Sequence, residues 1–206
     1  MRYSSNHKAE TRQRIIGEAA RRFRKDGIEG TGLVPLMKAL GLTHGGFYAH
    51  FPSKDALVQA SLEAAAAQTL DLWEVPPCAG KSEAAPCATP EPARAATGGA
   101  MLRALIDQYL SAEHRDDPGG ACPLPTLAAE LGLRGEPSPI ADRMVTAMAE
   151  RLGGAQPAVP PGEEGIVALA AMVGALTLAR AVSDRALSDR VLAAVRATLQ
   201  PAPQQD

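Results

Sequence analysis

The sequence predicts an all-α fold, and three observations predict it. Apolar residues recur at helical spacing along most of the 206 residues, no run alternates with the period of two that marks a half-buried strand, and glycine or proline stands where each helical pattern stops. Two helical domains are expected, residues 1–53 and 54–206.

From Lys8 to Lys25, the residues Ile15, Ile16, Ala19, Ala20 and Phe23 form the apolar face of an amphipathic helix, with Arg12, Arg14, Arg21, Arg22 and Arg24 elsewhere on its surface. Gly27, suited to a left-handed C-cap, ends it. A short second helix follows over Thr31 to Gly41, which requires Pro35 to lie in the first turn, where its missing N–H breaks no hydrogen bond. Gly41 stops it. Thr43 is placed to cap a third helix through its hydroxyl, and Phe47, Tyr48 and Phe51 supply the bulk that fixes this helix on the first two. Ser53 caps a fourth, which Leu57, Ala60, Ser61 and Ala64 continue.

Between about 74 and 98 the text changes to Pro76, Pro77, Pro86, Pro90 and Pro92 among Ala, Gly, Ser and Glu, the composition of a mobile loop or linker. Helical text resumes at Met101, Leu102, Leu105, Ile106, Tyr109 and Leu110, then breaks at Asp116-Asp117-Pro118-Gly119-Gly120. Short helices are expected near Leu124–Leu131 and Pro139–Leu152. A Gly/Pro loop over Gly153–Gly162 leads to two final helices, at about Glu163–Ser183 and Leu187–Leu199.

Charge separates the two domains. Residues 1–55 hold ten Lys or Arg against five acids, whereas the whole chain has 21 and 23, which leaves 11 against 18 for the remainder. A basic module joined to an acidic domain is the asymmetry of a nucleic-acid reader attached to a domain with another task. Cys78, Cys87 and Cys122 form no CxxC pair, so neither a disulfide framework nor a zinc site is implied. No signal-peptide stretch opens the chain, and the longest uncharged run, Gly165 to Ala179, is short for a bilayer span and reads as a packed helix. A reducing cytoplasm is the expected compartment.

The window Gly41-Leu42-Thr43-His44-Gly45-Gly46-Phe47-Tyr48-Ala49-His50-Phe51-Pro52-Ser53-Lys54 carries the chemistry. A helix-turn-helix needs a glycine in its turn, apolar residues locking two helices at a steep angle, and polar residues at the start of the second helix, where base edges are reached. All three are present. Gly45 and Gly46 each cost a helix about 1 kcal/mol relative to Ala, which is easier to explain where the backbone must approach DNA closely. Thr43 and His44 project from the helix start, while Tyr48, His50 and Lys54 offer donors to phosphate.

This block, with Thr31 before it and Asp55-Ala56-Leu57 after it, resembles the DNA-binding domain of TetR-family transcriptional regulators over roughly residues 8–60. The resemblance implies phosphate contact by Thr43, Tyr48, His50 and Lys54, base edges against His44, Gly45 and Gly46, and Thr31 capping the second helix near the DNA backbone. Pro35 and Met37 depart from the family pattern, which has an acidic residue and a small Ala there. The resemblance also implies a homodimer on a pseudo-palindromic double-stranded DNA operator, acting as a repressor and released by a small effector. Independently, Ala168, Ala171, Gly174, Ala175 and Ala179 form a small-residue surface, and Val191, Leu192, Val195 and Leu199 an apolar stripe, that suit helix pairing.

For the effector pocket, the candidate residues are Leu70, Trp73, Leu105, Tyr109, Met144, Met148 and Met172, together with Cys122, and they suit a small, largely apolar or aromatic ligand. No cofactor and no metal is expected. Cys122 precedes a short helix, so an electrophile or redox sensor acting through its thiol is an alternative, as is a helical adaptor. Catalysis is not expected: His114-Arg115-Asp116 resembles a kinase triplet, but Ala121 stands where the partner Asn belongs.

Overall fold

The computed structural model describes the backbone of residues 5–74, 91–153 and 162–200. Among these residues ten helices follow one another without a strand: α1 (Ser5–Gly30), α2 (Leu33–Ala39), α3 (His44–Phe47), α4 (Lys54–Glu74), α5 (Glu91–Tyr109), α6 (Ala112–Asp116), α7 (Leu124–Arg134), α8 (Pro139–Arg151), α9 (Glu164–Ala181) and α10 (Arg185–Leu199). The all-α expectation holds. The chain forms two compact units, one of Met1–Thr69 with Asp117–Asp142, the other of Leu70–Asp116 with Arg143–Asp206. The first unit thus continues past residue 53 through most of α4, and it takes in α7 from far along the sequence.

In the first unit α1 buries the predicted stripe, Ile15, Ile16, Ala19, Ala20 and Phe23, and packs against α2 and α7. Pro35 is the third residue of α2, inside its first turn, as its lost N–H requires. Met37 is fully buried beside Leu36. The end of α2 is a Schellman motif: Gly41 takes φ +70°, its amide donates to the Lys38 carbonyl at 3.0 Å, and the Leu42 amide donates to the Met37 carbonyl at 2.9 Å. Ser53 caps α4, accepting from the Ala56 amide at 3.1 Å.

Gly27 departs from its expected role. It has φ 77°, ψ 170°, which is a kink and not a left-handed cap, and helical turns resume as far as Gly30. Thr31 departs as well: the N-cap of α2 is Gly32, which offers no side chain, and the Thr31 hydroxyl donates instead to the Gly27 carbonyl at 2.7 Å. Thr31 is buried, and this bond satisfies its hydroxyl.

In the second unit α9 buries Ala168, Leu169, Met172, Ala175, Leu176 and Ala179 and packs along α10, whose Leu192 and Leu199 are also buried. Of the small-residue surface and apolar stripe expected at a subunit interface, Ala168, Ala175, Ala179, Leu192 and Leu199 therefore lie inside the unit, while Ala171, Gly174, Val191 and Val195 are half-buried. Ile166, Val167, Leu178 and Leu187 are the large apolar residues left exposed on these helices. At 18 residues α9 is long and apolar enough to cross a membrane by length and composition alone, longer than its uncharged run suggested. Its buried stripe is that of a core helix.

Arg115 organises the polar side of this unit. Its guanidinium is buried and bonds Asp116, Ser188 and Asp189, while Arg185 pairs with Asp116 and Arg180 donates to the carbonyls of His114 and Arg115. These contacts tie the short α6 to α9 and α10, so the kinase-like triplet is a structural joint.

Most of the Pro-rich stretch expected to be a loop, and the residues from 154 to 161, lie outside the described residues. The end of that stretch is a correction: Glu91 to Gly98 opens α5, with Pro92 second in the helix, where no intrahelical N–H is needed. Cys78 and Cys87 also lie outside the described residues.

Candidate nucleic-acid interface

Thr43 builds the surface. As N-cap of α3 it takes an extended backbone, φ −81°, ψ 152°, and its hydroxyl accepts from the Gly46 amide at 3.2 Å. A four-residue helix has few bonds of its own, so it depends on this cap and on Phe47, fully buried and stacked on Phe51 at 5.7 Å. With Phe47 anchored inward, its neighbours point out. His44 and Tyr48 are exposed, their rings 5.8 Å apart and edge-on.

The two glycines differ in what surrounds them. A Cβ at Gly45 meets nothing within 4 Å, whereas one at Gly46 falls 3.3 Å from the Thr43 hydroxyl. Neither has a positive φ, so no backbone requirement inside the protein selects glycine at 45. Its bareness leaves open backbone at the surface of a helix start, the geometry that lets a helix approach a groove closely.

His50 and Lys54 sit differently from the other predicted contacts. His50 is half-buried, and its Nδ1 lacks a hydrogen-bond partner among the described residues. Burial first, then the charges of Lys8, Arg12 and His7, push its pKa below 6.5. Lys54 extends its ammonium to the Ile28 carbonyl at 2.8 Å, so it fastens α4 to the α1 kink. Thr31 is buried at the same kink and away from solvent. The cations that sequence reasoning missed are Lys8 and Arg12, both exposed, the latter with its guanidinium 4.8 Å over the Phe51 ring. Their spacing of four residues on one helix was the available signal.

Residues 15–61, from the α1 core stripe to α4, match the family described as bacterial regulatory proteins, tetR family. Residues 15–61 are thus the part of the chain that is similar to the tetR family. Over 63 residues it is 40% identical to the HTH-type transcriptional regulator TtgR of Pseudomonas putida, a match spanning 31% of this chain and 30% of that relative's length. Two tetR-family structures are similar in fold. One, from Chloroflexus aurantiacus J-10-FL, has a TM-score of 0.68 at 23% identity, covering 93% of this chain and 95% of that one. The other, from Cytophaga hutchinsonii, has a TM-score of 0.69 at 22% identity and covers all of both chains, 100% and 100%.

Of the predicted pocket residues, Trp73, Leu105, Tyr109, Met144, Met148 and Met172 are buried and Leu70 half-buried, all in the second unit. Trp73 meets Tyr109 edge-on at 6.1 Å, and Tyr109 meets His114 at 4.7 Å. Cys122 is buried in the first unit. Its neighbour there is Arg24, whose pKa is lowered by burial against the opposing charges of Cys122 and Asp117.

Proposed function

We propose that the chain is a ligand-responsive, DNA-binding transcriptional regulator of the cytoplasm, a repressor that binds a pseudo-palindromic operator as a homodimer and is released by a small, largely apolar or aromatic effector. The observation that carries this reading is the surface from Thr43 to Tyr48: a capped helix start that exposes His44 and Tyr48 around a glycine with nothing beside it.

On this reading His44 and the backbone at Gly45 and Gly46 face base edges in the major groove, while Thr43, Tyr48, Lys8 and Arg12 contact phosphates. A two-fold dimer sets two such helices in successive major grooves. The exposed Ile166, Val167 and Leu178 of α9 support pairing of that face with a second copy. The Trp73, Tyr109 and methionine cluster supports an apolar effector, which lowers DNA affinity by the ratio of its affinities for the two states.

Selection of bound duplexes from a random pool tests the reading. Two related half-sites should emerge, and binding should weaken steeply as salt rises because phosphate contacts release counterions. His44→Ala should then relax preference at one base pair of each half-site, by about 1–3 kcal/mol. A wild-type pool that returns no enriched sequence sinks the proposal and favours a helical adaptor.

A further inference from the structure

We propose that Glu130, on α7, is a positioning residue for DNA reading: with Thr126 one turn before it, it holds the α1 kink at the angle that presents α2 and α3. The inference rests on the DNA-reading function proposed above, and all the residues involved lie in the first compact unit.

In an unbroken helix the amides of Ile28 and Glu29 would bond the carbonyls of Arg24 and Lys25. Gly27, at φ 77°, ψ 170°, turns them away. Side chains of α7 take up the opened groups. The Thr126 hydroxyl donates to the Arg24 carbonyl at 2.7 Å, in place of the Ile28 amide. The Glu130 carboxylate accepts from both amides, at 2.8 Å from Ile28 and 3.0 Å from Glu29. Arg134 then pairs with the Glu29 carboxylate at 2.7 Å. Thr126, Glu130 and Arg134 are spaced i, i+4, i+8, one stripe along one face of α7.

The other side of the kink is held too. Thr31 donates to the Gly27 carbonyl at 2.7 Å and Lys54 to the Ile28 carbonyl at 2.8 Å. From there the chain reaches Leu33, the start of α2, so the orientation of the kink sets the direction in which α2 and α3 leave α1.

Glycine without a Cβ reaches helical angles as easily as those it holds here. Two arrangements are therefore available to α1: kinked, with its opened groups on α7, or straight, with its own i→i−4 bonds restored. The second swings the α2–α3 pair relative to α1. Glu130 favours the first, because a charged acceptor shared by two amides is a strong partner for both. Thr126 and Glu130 touch no predicted DNA contact; they act through the backbone.

The test compares Glu130→Gln with wild type on the selected duplex and on an unrelated duplex. Glutamine keeps one acceptor oxygen but sets an NH2 donor against the second amide. Affinity for the selected duplex should fall about tenfold or more, with affinity for the unrelated duplex and its salt slope unchanged, because no phosphate-binding cation is touched. Hydrogen exchange at the Ile28 and Glu29 amides should accelerate. An unchanged ratio of selected to unrelated affinity, with those amides exchanging faster, overturns the proposal. If Glu130→Gln does not fold, Thr126→Val, which removes only the donor to Arg24, decides by the same ratio. Wild-type protein that selects no duplex overturns the function itself, whereas a binding wild type with unaffected variants overturns the positioning role alone.

Discussion

A methyl group added at Gly45 meets no atom within 4 Å, while one added at Gly27 lies 3.1 Å from a Glu130 oxygen on backbone held at φ +77°. The same substitution therefore has opposite effects at the two positions. Gly45→Ala should raise stability by up to about 1 kcal/mol through helix propensity, and Gly27→Ala should lower it by about 1–3 kcal/mol through backbone strain; thermal melts of the two variants check both signs. If Gly45→Ala also loses binding to the selected duplex, the glycine serves DNA and not the fold. His50 gives a pH dependence of known sign. Its folded pKa lies below 6.5, so the unfolded chain takes up the proton first, and the contribution of His50 to stability is full above pH 6.5 and declines as pH falls through that value. Urea denaturation at pH 7.5 and 5.5 should show a loss on acidification that His50→Gln reduces.

At the scale of the element, α3 has four residues and one side-chain cap, so the cap decides whether it forms. Thr43→Ala should destabilise the first unit by about 1 kcal/mol and speed amide exchange at Gly46, with α1 and α4 unaffected. This element was legible in the sequence because its signals are local: Thr43 before it, Phe47 within it, Gly41 and Ser53 bounding it. The kink in α1 was legible only as an interruption. Gly27 announced that the helix changes there, but the identity of the groups that satisfy the opened bonds depends on Glu130, 102 residues from Ile28. Lys54 makes a contact hidden from the sequence for the same reason. A lysine beside a DNA-reading motif suggests phosphate, and only the folded chain brings the Ile28 carbonyl to its ammonium.

Over the whole molecule, the face that α9 leaves exposed is the testable feature. Leu178 is 58% exposed and Ile166 49%, whereas Ala168, Ala175 and Ala179 of the same helix are buried. On the proposed homodimer, Leu178→Glu combined with Ile166→Glu should shift sedimentation from dimer to monomer and abolish binding to a paired half-site, while helical content holds; wild type that sediments as a monomer contradicts the proposed pairing. Ala168→Glu should instead prevent folding, since it puts a charge in the core of the second unit.

Periodicity, capping residues and breakers, all acting within a few residues of one another, are enough in this sequence to determine an all-α chain with a helix-turn-helix at its basic end. Tertiary structure alone decided that α7 and Cys122 belong to the first unit, and that Ala168, Ala175 and Ala179 of the small-residue stripe of α9 are core. An amphipathic pattern states that a face is buried without stating against what, and the partner is chosen by contacts between residues distant in the chain.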